Sequence, residues 1–194
     1  MRTKLLFPIL ICAWLGACSI GQEAKRAANV YDFGMPTQAA RIPGNVILQD
    51  VGAPSWLATP ALHYRLAYQD IARLQTYADS RWAAAPATLL TLRMHQALGA
   101  TANSNKQYQL RIELEEFSHV FDTPGTSRGL VRARASLIVA GARSPIATRT
   151  FTIERKAPSS NSEGGVRALT EASDALIDTL AGWLTETTAA TAKK

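Results

Sequence analysis

The 194-residue chain has little cysteine: Cys12 and Cys18 are the two present. That excludes a disulfide-rich mini-domain and a cysteine-based zinc finger. No run of five or six like charges occurs, and no stripe interleaves basic with aromatic residues. A nucleic-acid partner is therefore not expected. The longest apolar stretch, residues 5–15, falls well short of the roughly 20 residues a membrane-spanning helix needs. A mean hydropathy of −0.04 excludes a polytopic membrane protein. Neither a G-x-S-x-G elbow nor a G-x-x-x-x-G-K-[ST] phosphate loop is present, so ATP hydrolysis by this chain is not expected. His63, His95 and His119 form no H-x-x-x-H or H-E-x-x-H pair, and no metal or other cofactor is expected.

What is present first is an address. Arg2 and Lys4 precede the apolar run, and Leu15-Gly16-Ala17-Cys18 closes it. This has the layout of a secretory signal, residues 1–17, and the four-residue element resembles the bacterial lipobox. Cys18 would then be acylated and become the mature first residue. More than one acyl chain anchors stably where a single chain does not. Cys12 leaves with the signal and Cys18 is consumed by lipid, so a thiol mechanism is excluded. Removing Arg2 and Lys4 takes two charges off the formal +6. Ser19 after the cysteine favours, by analogy with lipoprotein sorting, the outer membrane with the body facing the periplasm.

Residues 18–43 are small and polar apart from Val30–Phe33, and read as a lipidated tether. The domain is expected over 44–186. Val46–Val51 reads as a short buried strand, and Gly52–Pro60 as a loop carrying Trp56. Leu62, Tyr64, Leu66 and Tyr68 alternate with polar neighbours as a strand, with a return strand over 72–77. Asp79 and Ser80 suggest a helical opening, with the main helix over 86–98 and Gly99 as its stop. Tyr108–Leu114 alternates cleanly, and a slip of phase near Glu115–Glu116 predicts a bulge. Val131–Val139 and Ala147–Arg155 complete an antiparallel meander. Ser160-x-x-Glu163 suggests a capping box for a last helix. Its stripe is Val166, Leu169, Ala172, Leu176, Leu180 and Trp183, with a frayed tail over 187–194. The expected fold is α/β: one sandwich domain, a mixed and largely antiparallel sheet with flanking helices.

Candidate contact residues follow from exposure. Glu113, Glu115 and Glu116 could be an acid/base cluster, but a solvated strand face pairing Glu113 and Glu115 with Arg132 and Arg134 explains them more simply. The same two arginines, with Arg65, could meet anionic headgroups or an acidic partner. Trp56, Tyr64 and Tyr68 are either a partner or lipid contact, or ordinary core and rim.

From Trp56 to Leu98 the text contains Tyr64-Arg65, Tyr77-Ala78, Arg81-Trp82-Ala83 and Pro86–Leu90. With the lipobox, Tyr31-x-Phe33 and the last amphipathic helix, this resembles the ABC-type transport auxiliary lipoprotein family, the PqiC-like group, over roughly residues 29–185. Asp32-Phe33 departs from the commoner Tyr-x-Leu form. The resemblance implies an α/β sandwich like the N-terminal domain of TolB. It also implies a non-enzymatic subunit of an MCE-type lipid transport system. Its partners would be an MCE-domain protein and an inner-membrane ABC permease, and homo-oligomers occur in the family. The alternative is a structural or assembly lipoprotein touching peptidoglycan or an outer-membrane machine.

Overall fold

The computed structural model describes residues 27–36, 41–98 and 107–192. Seven strands form one sheet: β1 (Asn29–Tyr31), β2 (Val46–Leu48), β3 (Ala61–Leu66), β4 (Leu74–Trp82), β5 (Tyr108–Thr123), β6 (Thr126–Val139) and β7 (Pro145–Lys156). Two helices accompany it, α1 (Pro86–Ala97) and α2 (Ser162–Thr191). The order across the sheet is β1-β4-β3-β5-β6-β7, and β2 also pairs with β5. The expected mixed α/β domain is what the chain forms.

The meander β5-β6-β7 is antiparallel throughout. The other edge of β5 is shared by two short parallel partners. β2 lies along Tyr108–Leu110, and β3 lies along His119–Phe121. Between them the chain leaves the sheet through a 3-10 turn at Ser55–Leu57. The predicted bulge is present: the β5–β6 register skips Glu115, between Leu114 and Glu116.

Alternation decides which face is buried. Leu110, Ile112 and Leu114 of β5 share a face with Leu137, Ala135 and Ala133 of β6, and all six are buried. α2 covers that face with Leu169, Ala172, Leu176, Leu180 and Trp183, the stripe expected from sequence. Trp183 meets the Phe151 ring edge-on at 5.8 Å. The helix approaches so closely at Gly129 that a Cβ there would lie 2.6 Å from the Ala168 carbonyl carbon.

Four expectations need correction. Asp79 and Ser80 do not open a helix; β4 runs through them to Trp82. The reason is tertiary: Asn29–Tyr31 pairs in parallel with Ser80–Trp82, and Trp82 is fully buried against Phe33 and Phe117 at 5.6 Å each. For the same reason part of the stretch read as tether over 18–43 joins the domain: Asn29–Tyr31 is a strand, and Phe33 and Ile42 are buried. Both are core residues, and such aromatic pairs contribute about 1 kcal/mol each beyond area burial. The cap of α2 is Asn161 rather than Ser160. Its Oδ1 accepts the Gly164 N–H at 2.9 Å. The tail expected from Thr187 is helical to Thr191, with Thr188 buried. The expected helix stop at Gly99 and the expected acylation site at Cys18 lie outside the described residues.

Candidate functional site

The sheet face opposite α2 is open. Even-numbered residues of β6 and β7 point to it, because odd-numbered ones face the helix. It carries Arg132, Arg134 and Ser136 from β6, and Thr148, Thr150 and Thr152 from β7. Alternation along β5 places Glu113 and Glu115 on this face, and the bulge brings Glu116 to the same side. Arg132 Nε donates to Glu115 Oε2 at 2.9 Å, and Arg134 Nε donates to Oε1 at 3.1 Å. One carboxylate thus serves two guanidinium groups. The sequence reading paired Glu113 and Glu115 with these arginines. The register does place Glu113 opposite Arg134, but the ion pairs go to Glu115.

A second column adjoins it. Glu116 stands opposite Arg132 in the register, and its Oε2 accepts from Arg65 at 2.9 Å. Arg65 lies over the Trp56 ring at 5.9 Å and also donates to the Ile71 and Ala72 carbonyls. The Trp56 ring meets His63 edge-on at 5.6 Å. Trp56, Arg65, Arg132 and Arg134 are therefore brought together on one polar face, linked through Glu115 and Glu116.

The two tyrosines are elsewhere. Tyr64 is directed to the helix side, tilted against Tyr77 at 4.8 Å, and its hydroxyl donates to Gln75 at 3.0 Å. Tyr68 is exposed in the turn after β3. Neither shares the surface of the four residues above.

Chemically, this face suits docking better than catalysis. Glu115 and Glu116 are held by guanidinium groups, so the face presents paired charges to a partner. Among the described residues no group of three His, Cys, Asp or Glu side chains could hold a metal ion.

Two features escaped the sequence reading. Arg93 is 4% exposed on α1, and it donates to both carboxylate oxygens of Asp174 on α2, at 2.7 and 3.0 Å. It also donates to the carbonyls of Gly34 and Phe33, at 2.9 and 3.3 Å. This clamp fastens the leading segment to both helices, at the wall of an open cleft of about 570 Å³ between Val30–Met35 and α2. A lone arginine beside the apolar stripe Leu90–Met94, with no acid one turn away, was the available signal. The other feature is His119, fully buried beside the first turn of α2. Its Nδ1 is 2.9 Å from the Tyr77 hydroxyl, and its Nε2 has no partner among the described residues. Burial lowers its pKa to about 4. Burial likewise raises that of the Tyr77 hydroxyl, so both stay neutral at ordinary pH. His63 is also lowered, by burial first; Glu116 opposes the shift and Arg65 adds to it.

The sequence pattern of the ABC-type transport auxiliary lipoprotein component matches residues 34–181. The chain belongs to that family. It is also similar to a crystal structure from Xanthomonas campestris assigned to the DUF330 family. The TM-score is 0.70 at 20% identity, over 86% of this chain and all of the other. A second crystal structure, of an uncharacterized protein, gives 0.59 at 14% identity, over 82% and 99%. Both likenesses speak to the fold. No protein of curated function matches the chain. No helix among the described residues is long and apolar enough to cross a membrane.

Proposed function

We propose that the protein is a non-enzymatic lipoprotein subunit of an MCE-type ABC lipid transport system. It is anchored in the outer membrane through acylated Cys18, with its domain in the periplasm. There it docks the MCE-domain conduit, while an inner-membrane permease and its ATPase drive lipid movement. The observation that carries the reading is the family match over 34–181, the greater part of the folded domain. The open face of paired charges supports a docking role. The clamp at Arg93 ties Phe33 and Gly34, early in the described part of the chain, to both helices.

In-cell cross-linking of a C-terminally tagged full chain, followed by capture and mass spectrometry, tests this. An MCE-domain protein should be recovered, and should be lost when the domain is deleted and the anchor kept. Recovery of peptidoglycan or outer-membrane assembly factors alone, with the MCE protein present in the lysate, would overturn it in favour of a structural lipoprotein. Cys18→Ser should move the protein from the membrane to the soluble fraction; retention in the membrane would refute acylation at that residue.

A further inference from the structure

The two edges of the sheet are managed differently. β1, at one edge, is three residues long. β7, at the other, runs for twelve residues and pairs only with β6 among the described residues. Typical strands have about 5–6 residues, and a long free edge is a template for another strand unless it is blunted or covered.

The direction of its main-chain groups is fixed by the register. The Ala157 N–H donates to the Ser127 carbonyl at 2.9 Å, and the pairing continues unbroken from Arg128–Lys156 to Leu137–Ala147. Main-chain groups alternate sides along a strand. Odd residues of β7 therefore bond to β6, while Thr148, Thr150 and Thr152 present N–H and C=O outward; Glu154 presents its N–H, and its carbonyl accepts from Arg155 at 2.9 Å. Phe151 is the only buried side chain of the strand.

The charge on this edge has one sign in excess. Arg143 precedes the strand, and Arg149, Arg155 and Lys156 lie on it. Its one acid, Glu154, is held by Arg128 at 3.3 Å. Next to it, Arg132 and Arg134 share the single carboxylate of Glu115. Arg149 lies over the Phe151 ring at 5.2 Å, at the edge of the contact that ring makes with Trp183.

We propose that the outer edge of β7 receives an extended acidic segment of a partner protein as an eighth strand. The outward row of N–H and C=O groups supplies affinity through main-chain hydrogen bonds. The arginines select acidic side chains on the incoming strand, as in other cases of strand addition. This goes beyond the proposed transport role, since it assigns the edge and the chemistry of its occupant.

The test places the photo-cross-linker p-benzoylphenylalanine at Thr150 in the full chain in its own envelope, with Asp178 on α2 as control position. The expected result is a protein adduct at 150 and none at 178, with the cross-linked peptide mapping to an extended acidic segment. The adduct should be lost on combining Arg149→Glu with Arg155→Glu. Should that variant fail to fold, Thr152→Pro decides. It removes an outward N–H but no bond to β6, and should also abolish the adduct. An adduct to a second copy of this chain, to lipid alone, or one indifferent to both variants overturns the proposal, as does no adduct at all.

Discussion

His119 makes the fold acid-sensitive in a calculable way. The side chain is fully buried, against the Phe121 ring at 4.4 Å, Tyr77 and the backbone of Gly165. A Cβ on Gly165 would lie 2.5 Å from its Nδ1, so no water can enter on that side. A protonated imidazole needs two acceptors, and the Tyr77 oxygen is the one available among the described residues. In the unfolded chain His119 takes up its proton near 6.5, but in the folded protein only near 4. Stability is therefore full above about 6.5, declines as pH falls below it, and levels off below about 4. The gap corresponds to about 3 kcal/mol in all, of which about 2 kcal/mol is lost by pH 5. Urea unfolding between pH 7.5 and 5 measures it. His119→Gln leaves Tyr77 a hydrogen-bonding partner but takes up no proton between pH 7.5 and 5. It should be less stable at pH 7.5, yet lose most of the decline toward pH 5. A small remainder in the same direction belongs to His63, whose pKa is also lowered. An undiminished decline in His119→Gln would refute the reasoning.

Three further outcomes follow from particular contacts. Arg93→Ala strips partners from Asp174 and from the Phe33 and Gly34 carbonyls; it should cost about 3 kcal/mol in urea unfolding and open the segment before Gly34 to protease. Gly129→Ala drives a methyl into the backbone of α2 and should destabilise by about 1–3 kcal/mol, whereas Gly125→Ala, in the open turn between β5 and β6, should refold to the same sheet by circular dichroism. Arg132→Ala and Arg134→Ala should each cost under about 1 kcal/mol, because both are half-exposed and each leaves Glu115 the other guanidinium; a loss of several kcal/mol would show that this face is structural rather than free for docking.

Much of the architecture was legible locally. The period-2 pattern of β5 and β6, the phase slip that marks the bulge, and the stripe of α2 are each properties of one segment, and each appears as expected. The surface that gathers the candidate contact residues was half legible. Arg132 and Arg134 are separated by one residue on a strand, so their common face follows from alternation. That Arg65 and Trp56 join them does not, because it depends on β3 pairing with the far half of β5. Tyr64 shows the same limit: its strand was correctly read, but which face was inward depended on where α2 lies.

By itself, the sequence determined the elements of the meander, the last helix, the family and the apolar periodicity that makes one face of the sheet sticky. These rest on neighbours within one strand or one helical turn. The tertiary structure alone decided that Asn29–Tyr31 is sheet rather than tether, and that Asp79–Trp82 is strand rather than helix. It also decided that Arg93 finds Asp174 some eighty residues away. In each case the stabilising partner is distant in the chain, and no local pattern records a hydrogen bond or a ring contact made across the fold.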